Sequence, residues 1–284
     1  MKEMQMPQGL VRISDYKALL QGELFSRMEK FSNNFITQNS DTLSAYSRKW
    51  ITDPLHQWSR QWEYPFVFSE VGRYATSCTA RPTKILDAGS GITFFPYFLE
   101  ETIRGAELTC CDADASLQEI YKAVNKLMES DVKFLHKDIR DTGFESDSFD
   151  IIYCVSVLEH TKNYDEIIKE FVRILKKGGM LIVTFDISLD ECSDIPIGQV
   201  KEMMACLQNR LSPTDKGGIL NLLDEKELFS PDVITTGFVS SWNKSLLPWK
   251  YPLLSSLLAS FKKQRFPHFG IKMLTFTCHI FEKI

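Results

Sequence analysis

The chain has 284 residues, 44% of them apolar, with 33 basic against 37 acidic side chains and a formal net charge of −4. That length supports one large domain, or a core domain with a smaller cap, and the apolar content argues against disorder. The charge gives no general attraction to nucleic acid, no stretch reaches the roughly 20 apolar residues of a membrane span, and MKEMQMPQGL lacks the apolar run of a signal peptide, so a soluble, cytoplasmic protein is expected.

In chain order, residues 1–82 show no strand alternation and read as an N-terminal helical cap, with Trp50, Trp58, Trp62, Tyr64, Phe66 and Phe68 crowded together. In HQWSRQWEYPF (56–66), helical spacing places Trp58 and Trp62 on one face, and Tyr64-Pro65 is expected to end the helix. Residues 83–187 then alternate apolar runs with amphipathic ones. KILDA, ELTCCD, VKFLH, FDIIYCVSV and MLIVTFDI read as strands, and FFPYFLEETIR, ASLQEIYKAVNKLM and NYDEIIKEFVRILKKGG as helices. The last of these helices is expected to close on Lys176, Lys177 and Gly178. Strands alternating with helices make a parallel α/β sheet with right-handed crossovers. Residues 188–270 read as an insertion with a helix in GQVKEMMACLQNRL, and 271–284 as a closing strand. The basic run KKQRF (262–266) is either a solvated helix end or an anion-binding patch. The seven cysteines (Cys78, Cys110, Cys111, Cys154, Cys192, Cys206 and Cys278) contain no C-x-x-C pair, which suits reduced thiols.

The turn in KILDAGSGITFFP (84–96) carries the functional argument. In an open α/β sheet, ligands bind at the carboxyl ends of the strands where the strand order reverses. A dinucleotide fingerprint requires G-x-G-x-x-G, but the sixth position here is Phe94, and no G-K-[ST] follows for a phosphate loop. Asp87, two residues before Gly89, would repel a pyrophosphate and suit a cationic ligand. S-adenosylmethionine, with an ammonium, a sulfonium and no phosphate, fits that turn.

LDAGSGIT, followed by SFDIIYCVSVLEH and ILKKGGMLIVTF, resembles the class I S-adenosylmethionine-dependent methyltransferases, particularly their UbiE-like small-molecule group. The resemblance covers residues 84–186, with Thr93 where the family's loop has its last glycine. It implies a Rossmann-like sheet, mostly parallel with an antiparallel last strand, flanked by the N-terminal helical cap and the substrate-side insertion read above. It also implies that Asp87 orients the methionine ammonium, that the Gly89 and Gly91 backbone lies against the cofactor, and that Asp112 takes the ribose hydroxyls. By the same resemblance Asp138 accepts from the adenine amino group with the Ile139 amide beside the ring, Cys154 lies near the methionine moiety, and Glu159 and His160 stand at the mouth. Asp112 also reads as an ordinary strand-end residue and Asp138 as a turn residue.

A hydroxyl or ammonium nucleophile must lose a proton as it is methylated, and neutral histidine is the usual helper near neutral pH. His160 is the candidate base, with Glu159 orienting or replacing it; the alternative is that His160 only caps or packs the next segment. His56, His268 and His279 are weaker candidates, and His279 reads as structural. No cluster has metal-ligand spacing, so no metal is expected. Trp58, Trp62 and Tyr64 either stack on the acceptor or fasten the cap to the sheet. The cap and the insertion are expected to wall the pocket, and their Trp, Phe, Leu and Pro content suggests an apolar or amphipathic acceptor. WSRQWEYP, TFDIS and LPWK look like segments of glycan and specialised-metabolite methyltransferases, an association at fold level. The expectation is methyl transfer to an oxygen or nitrogen of a small metabolite, natural product or glycan precursor. A non-catalytic S-adenosylmethionine-binding partner or sensor is the rival, and a nicotinamide-dependent reductase stands behind it. Nothing in the sequence points to nucleic acid as a partner, and the oligomeric state is left open.

Overall fold

The computed structural model of the chain describes residues 6–44, 46, 53–77, 81–190, 195–248 and 272–284. The KKQRF run, His268, Trp50, Cys78 and Cys192 lie outside them, as does part of the LPWK segment. The N-terminal part contributes a short strand β1 (Gly9–Leu10) and helices α1 (Ile13–Leu20), α2 (Glu23–Gln38), α3 (Ser40–Leu43) and α4 (Arg60–Ser77). Alternation then follows: β2 (Thr83–Ala88), α5 (Phe95–Thr102), β3 (Ala106–Asp112), α6 (Leu117–Met128), β4 (Lys133–His136), β5 (Phe149–Val155), a 3-10 turn (Leu158–His160), α7 (Tyr164–Ile174) and β6 (Leu175–Ser188). Beyond these come β7 (Ile195–Pro196), α8 (Ile197–Gln208), β8 (Ser212–Pro213), α9 (Lys216–Leu223), α10 (Glu225–Leu228), α11 (Thr236–Trp242) and the closing β9 (Leu274–Glu282).

The described strands form one sheet in the order β1-β9-β6-β5-β2-β3-β4, with β7 added to β6 and β8 to β9. The pairs β2–β3, β3–β4, β2–β5 and β5–β6 are parallel, while β9 runs antiparallel to β6. This is the Rossmann-like α/β sheet with an antiparallel last strand that the motifs imply. Chain order reverses between β2 and β5, so the carboxyl ends of those strands open onto a switch-point crevice.

Strand alternation sorts the core to the two faces of the sheet. Ile85, Cys110, Ile151 and Tyr153 face α4, α5, α6 and the N-terminal helices, whereas Leu86, Cys111, Ile152 and Cys154 face α7 and α8. Phe171, on the apolar stripe of α7, is fully buried, and each such side chain contributes roughly 1.5–3 kcal/mol.

Three expectations are corrected. The helix α7 stops at Ile174, because Leu175 already pairs with Phe149; Lys176 and Lys177 therefore open β6, and Lys176 Nζ reaches Asp150 at 2.9 Å. Gly178 turns with φ 71° at the strand's start, its amide donating to the Lys283 carbonyl at 2.7 Å. Pro65 does not end its helix: α4 continues through it to Ser77, because burial of Trp62, Tyr64, Phe66, Val67 and Val71 on this helix offsets the lost amide bond toward Gln61 and the crowding of its carbonyl. The N-terminal part is not wholly without strand, because β1 pairs with the outer edge of β9 through Gly9–Cys278 and Leu10–Thr277.

Candidate functional site

The crevice at the switch point is a cavity of about 980 Å³. Its base is the turn after β2. The Gly89 and Ser90 amides both donate to the Cys111 carbonyl, at 2.8 and 3.0 Å, which bolts the turn to the end of β3. Gly89 has φ 79°, and a Cβ there would lie 2.6 Å from Val157 Cγ2; Gly91 has φ 54°, and a Cβ would lie 2.5 Å from the Tyr46 hydroxyl. Both positions therefore require glycine, by conformation and by space. Phe94, at the position a dinucleotide loop reserves for glycine, is buried edge-on to Tyr64 at 5.4 Å, so it fastens α4 to the loop.

Asp112, where β3 ends, holds the Gly91 amide on Oδ2 and the Asp114 amide on Oδ1, each at 2.9 Å. A carboxylate has about four acceptor sites, so two remain for a ligand. Asp87 lies behind the turn, buried, and its Oδ2 accepts from the Tyr153 hydroxyl at 3.0 Å. Burial pushes its carboxyl up to about 8; the Tyr153 bond opposes this and the Asp112 charge adds to it. Asp138 and Ile139 stand on the cavity wall. The Asp138 carboxylate is held by the Arg140 guanidinium at 2.5–3.1 Å, and that hydrogen bonding keeps it below the usual carboxylate range.

Cys154 does not reach the cavity. The alternation of β5 turns it to the α7 face, where it is fully buried, and burial raises its thiol well above the ordinary range. The next residues, Val155 and Ser156, reach the cavity in its place. Ser156 has φ 49°, a left-handed conformation costing a non-glycine residue roughly 1–2 kcal/mol.

Glu159 and His160 share the 3-10 turn yet differ in surroundings: Glu159 is 7% exposed, and His160 is exposed at the mouth. Burial, followed by the neighbouring Asp186, holds the Glu159 carboxyl well above its ordinary value. Of the three aromatic candidates, Trp58 and Tyr64 line the cavity, while Trp62 is buried on the core face of α4 and is not part of the cavity wall. Trp58 is pinned by Phe276 edge-on at 5.1 Å and by its amide donating to the Leu246 carbonyl at 3.0 Å; Tyr64 stacks on Phe95 at 4.6 Å. Among the other histidines, His56 bridges Asp53 and Glu29 at 2.6 and 2.9 Å. His279 is buried in β9, its ring pushed down to about 4 by desolvation.

Among the wall residues that escaped sequence reasoning are Tyr46, Arg60, Ser156 and Asp186. Arg60 Nη1 donates to Glu63 Oε2 at 2.5 Å and to the Ser156 hydroxyl, and that hydroxyl donates to Glu63 Oε1 at 2.8 Å. The Glu63 side chain is wholly buried. A signal was present, since charged residues within WSRQWEYPF must be paired if the aromatic residues around them are buried.

The fold and this site define a class I methyltransferase architecture. Residues 86–183 match the family model described as "Methyltransferase domain". The core of this chain is thus similar to the methyltransferase domains that this model describes. It is 32% identical over 101 residues to a demethylmenaquinone methyltransferase of Staphylococcus aureus, covering 35% of this chain and 42% of that one. It is 26% identical over 147 residues to sterol methyltransferase-like 3 of Botryococcus braunii, covering 45% and 36%. The chain thus spans less than half the length of these relatives. Among solved structures, geranyl diphosphate C-methyltransferase from Streptomyces coelicolor superposes with a TM-score of 0.51 at 12% identity, covering 76% of this chain and 78% of that one. The cyclase SpnF superposes with a TM-score of 0.51 at 13% identity, covering 88% and 94%; at these identities the likeness is one of fold.

Proposed function

We propose that the protein is an S-adenosylmethionine-dependent methyltransferase acting on an oxygen or nitrogen of a small-molecule acceptor. The observation that carries the reading is the turn at Gly89 and Gly91: it leaves no room for side chains, is clamped to the end of β3, and stands between the carboxylates of Asp87 and Asp112. The residues present fit the cofactor. Asp112 would hold the ribose hydroxyls on its two remaining acceptor sites, and Asp138 and Ile139 would face the base. Asp87, a buried carboxyl behind the turn that accepts from the Tyr153 hydroxyl, would answer the ammonium. The bound cofactor supplies a methyl group already activated on a sulfonium.

What remains for the chain is to align the acceptor, exclude water and take a proton. Trp58, Arg60 and Tyr64 on one side, and Ser156, Glu159, His160 and Asp186 on the other, supply walls on which an acceptor would be held. The volume, at the upper end of the ~300–1,000 Å³ typical of small-molecule sites, accommodates a nucleoside cofactor and a compact acceptor together. On this reading residues 1–82 form the cap and 188–270 the substrate-side insertion around the 83–187 core, with 271–284 closing the sheet. Among the described residues, no helix is long and apolar enough to cross a membrane, and no group of three or more His, Cys, Asp and Glu side chains has the arrangement to hold a metal.

The test uses methyl-labelled S-adenosylmethionine, the purified protein and an extract of its source cells, fractionated into small molecules, glycans or lipids, and macromolecules. Label in a small-molecule or glycan fraction, absent with Asp87→Ala, supports the reading. Tight binding of S-adenosylhomocysteine without label in any fraction turns it toward a non-catalytic cofactor-binding protein.

A further inference from the structure

Glu159 is the feature of the cavity that the cofactor reading leaves unused. It is 7% exposed, on the cavity wall, and its Oε2 has no hydrogen-bond partner among the described residues. Its Oε1 has only a long contact, 3.5 Å, from the Asp186 amide. A buried carboxylate left this way costs several kcal/mol unless a ligand completes it. Arg60 is the cation that acts on it most strongly, but Arg60 Nη1 is engaged by Glu63 and Ser156. Asp186 stands beside it on the same wall, at the carboxyl end of β6. The unpartnered Glu159 Oε2 is an acceptor beside a second carboxylate, which suits a ligand bearing N–H groups and a positive charge better than one offering a single hydroxyl.

Resting on the methyltransferase reading above, we infer that the acceptor is a primary or secondary amine, held as an ammonium by Glu159 beside Asp186 and deprotonated by Glu159. Ammonium and carboxylate pair on binding, and one N–H proton passes to Glu159, leaving a neutral amine. The nitrogen lone pair forms the N–C bond to the methyl carbon while the C–S bond breaks, its electron pair remaining on the sulfur as a thioether. The methylated product leaves as an ammonium, and the proton on Glu159 goes to solvent before the next acceptor binds. A buried carboxyl whose affinity for a proton is raised is a better base for an ammonium than an exposed one. His160, exposed at the mouth, is left to the exit of that proton.

The experiment begins with S-adenosylhomocysteine titrated by calorimetry; failure to bind sinks the methyltransferase reading and is scored separately. The protein saturated with that ligand is then mixed with matched probes, benzylammonium chloride against benzyl alcohol and butylammonium chloride against butanol. The midpoint of thermal unfolding is followed. The ammonium probes are expected to raise the midpoint and the alcohols not to, with Glu159→Gln weakening the ammonium effect at least tenfold while S-adenosylhomocysteine affinity stays within threefold. Should Glu159→Gln fold poorly, Asp186→Asn replaces it, with an expected weakening of three- to tenfold. Equal shifts from the alcohols, no shift from either ammonium salt, or an ammonium shift undiminished in the variant overturns the inference.

Discussion

Asp112→Ala tests the proposed cofactor site most directly. In the parent its two oxygens each accept one backbone amide at 2.9 Å, from Gly91 and Asp114, so the side chain shapes the turn as well as facing the cavity. Hydrogen bonds to an ionised acceptor contribute about 1.5–3 kcal/mol each, and at this half-exposed position water replaces part of them. A stability loss of about 2–3 kcal/mol is expected. The two acceptor sites that remain would take the ribose hydroxyls. Losing both, together with the order of the turn, is expected to cost about 3–4 kcal/mol of binding, a weakening of roughly 100- to 1,000-fold. Urea unfolding gives the first figure, and calorimetric titration with S-adenosylhomocysteine the second. Asp112→Asn, which keeps one amide acceptor, should fall between parent and alanine in both. Affinity of Asp112→Ala within threefold of the parent would refute the placement of the ribose.

Gly89→Ala forces a Cβ into the left-handed region and against Val157, with conformational strain alone of about 1–2 kcal/mol; S-adenosylhomocysteine affinity should fall more than tenfold, and unchanged titration would sink the role of the turn. Glu63→Gln removes the wholly buried partner of Arg60 and is expected to destabilise by about 3–5 kcal/mol in urea, whereas a loss below about 1 kcal/mol would show that the cap does not depend on that pair. The Asp87 carboxyl, raised to about 8 when folded, makes stability fall as pH rises from about 4 through 8, because the folded state holds the proton that the unfolded state has lost. An ammonium bound there favours the ionised form, so S-adenosylhomocysteine should release protons on binding near pH 7 and bind more tightly up to about pH 8. Titration enthalpies independent of buffer would contradict this.

The half of the cavity proposed to hold the cofactor was legible because it is local. Asp87, Gly89 and Gly91 occupy one strand end and one turn, Asp112 ends the next strand, and Asp138 and Ile139 follow a third. Spacing along the chain therefore predicts their neighbourhood in an open parallel sheet. Cys154 shows the limit of this reasoning: its strand was foreseen, but its face depends on a two-residue period, and the register turns it toward α7. The helix boundary near Lys176 was misread because helix-closing charge and strand opening look alike in sequence; pairing of Leu175 with Phe149 decided between them.

The amino-acid sequence by itself determined the α/β alternation, the glycine turn and the preference for a cationic ligand without phosphates, since each follows from the conformation and charge of residues close together in the chain. The side proposed for the acceptor was decided only by tertiary structure. Arg60 and Glu63 from α4 meet Ser156 beyond β5, and Glu159 meets Asp186 from β6, across separations of 27 to 96 residues. A single sequence carries no spacing rule for such contacts. Packing of the N-terminal helices on the sheet brings those charges together and buries them, and burial turns a carboxyl from a solvated surface group into one whose proton affinity a ligand can exploit.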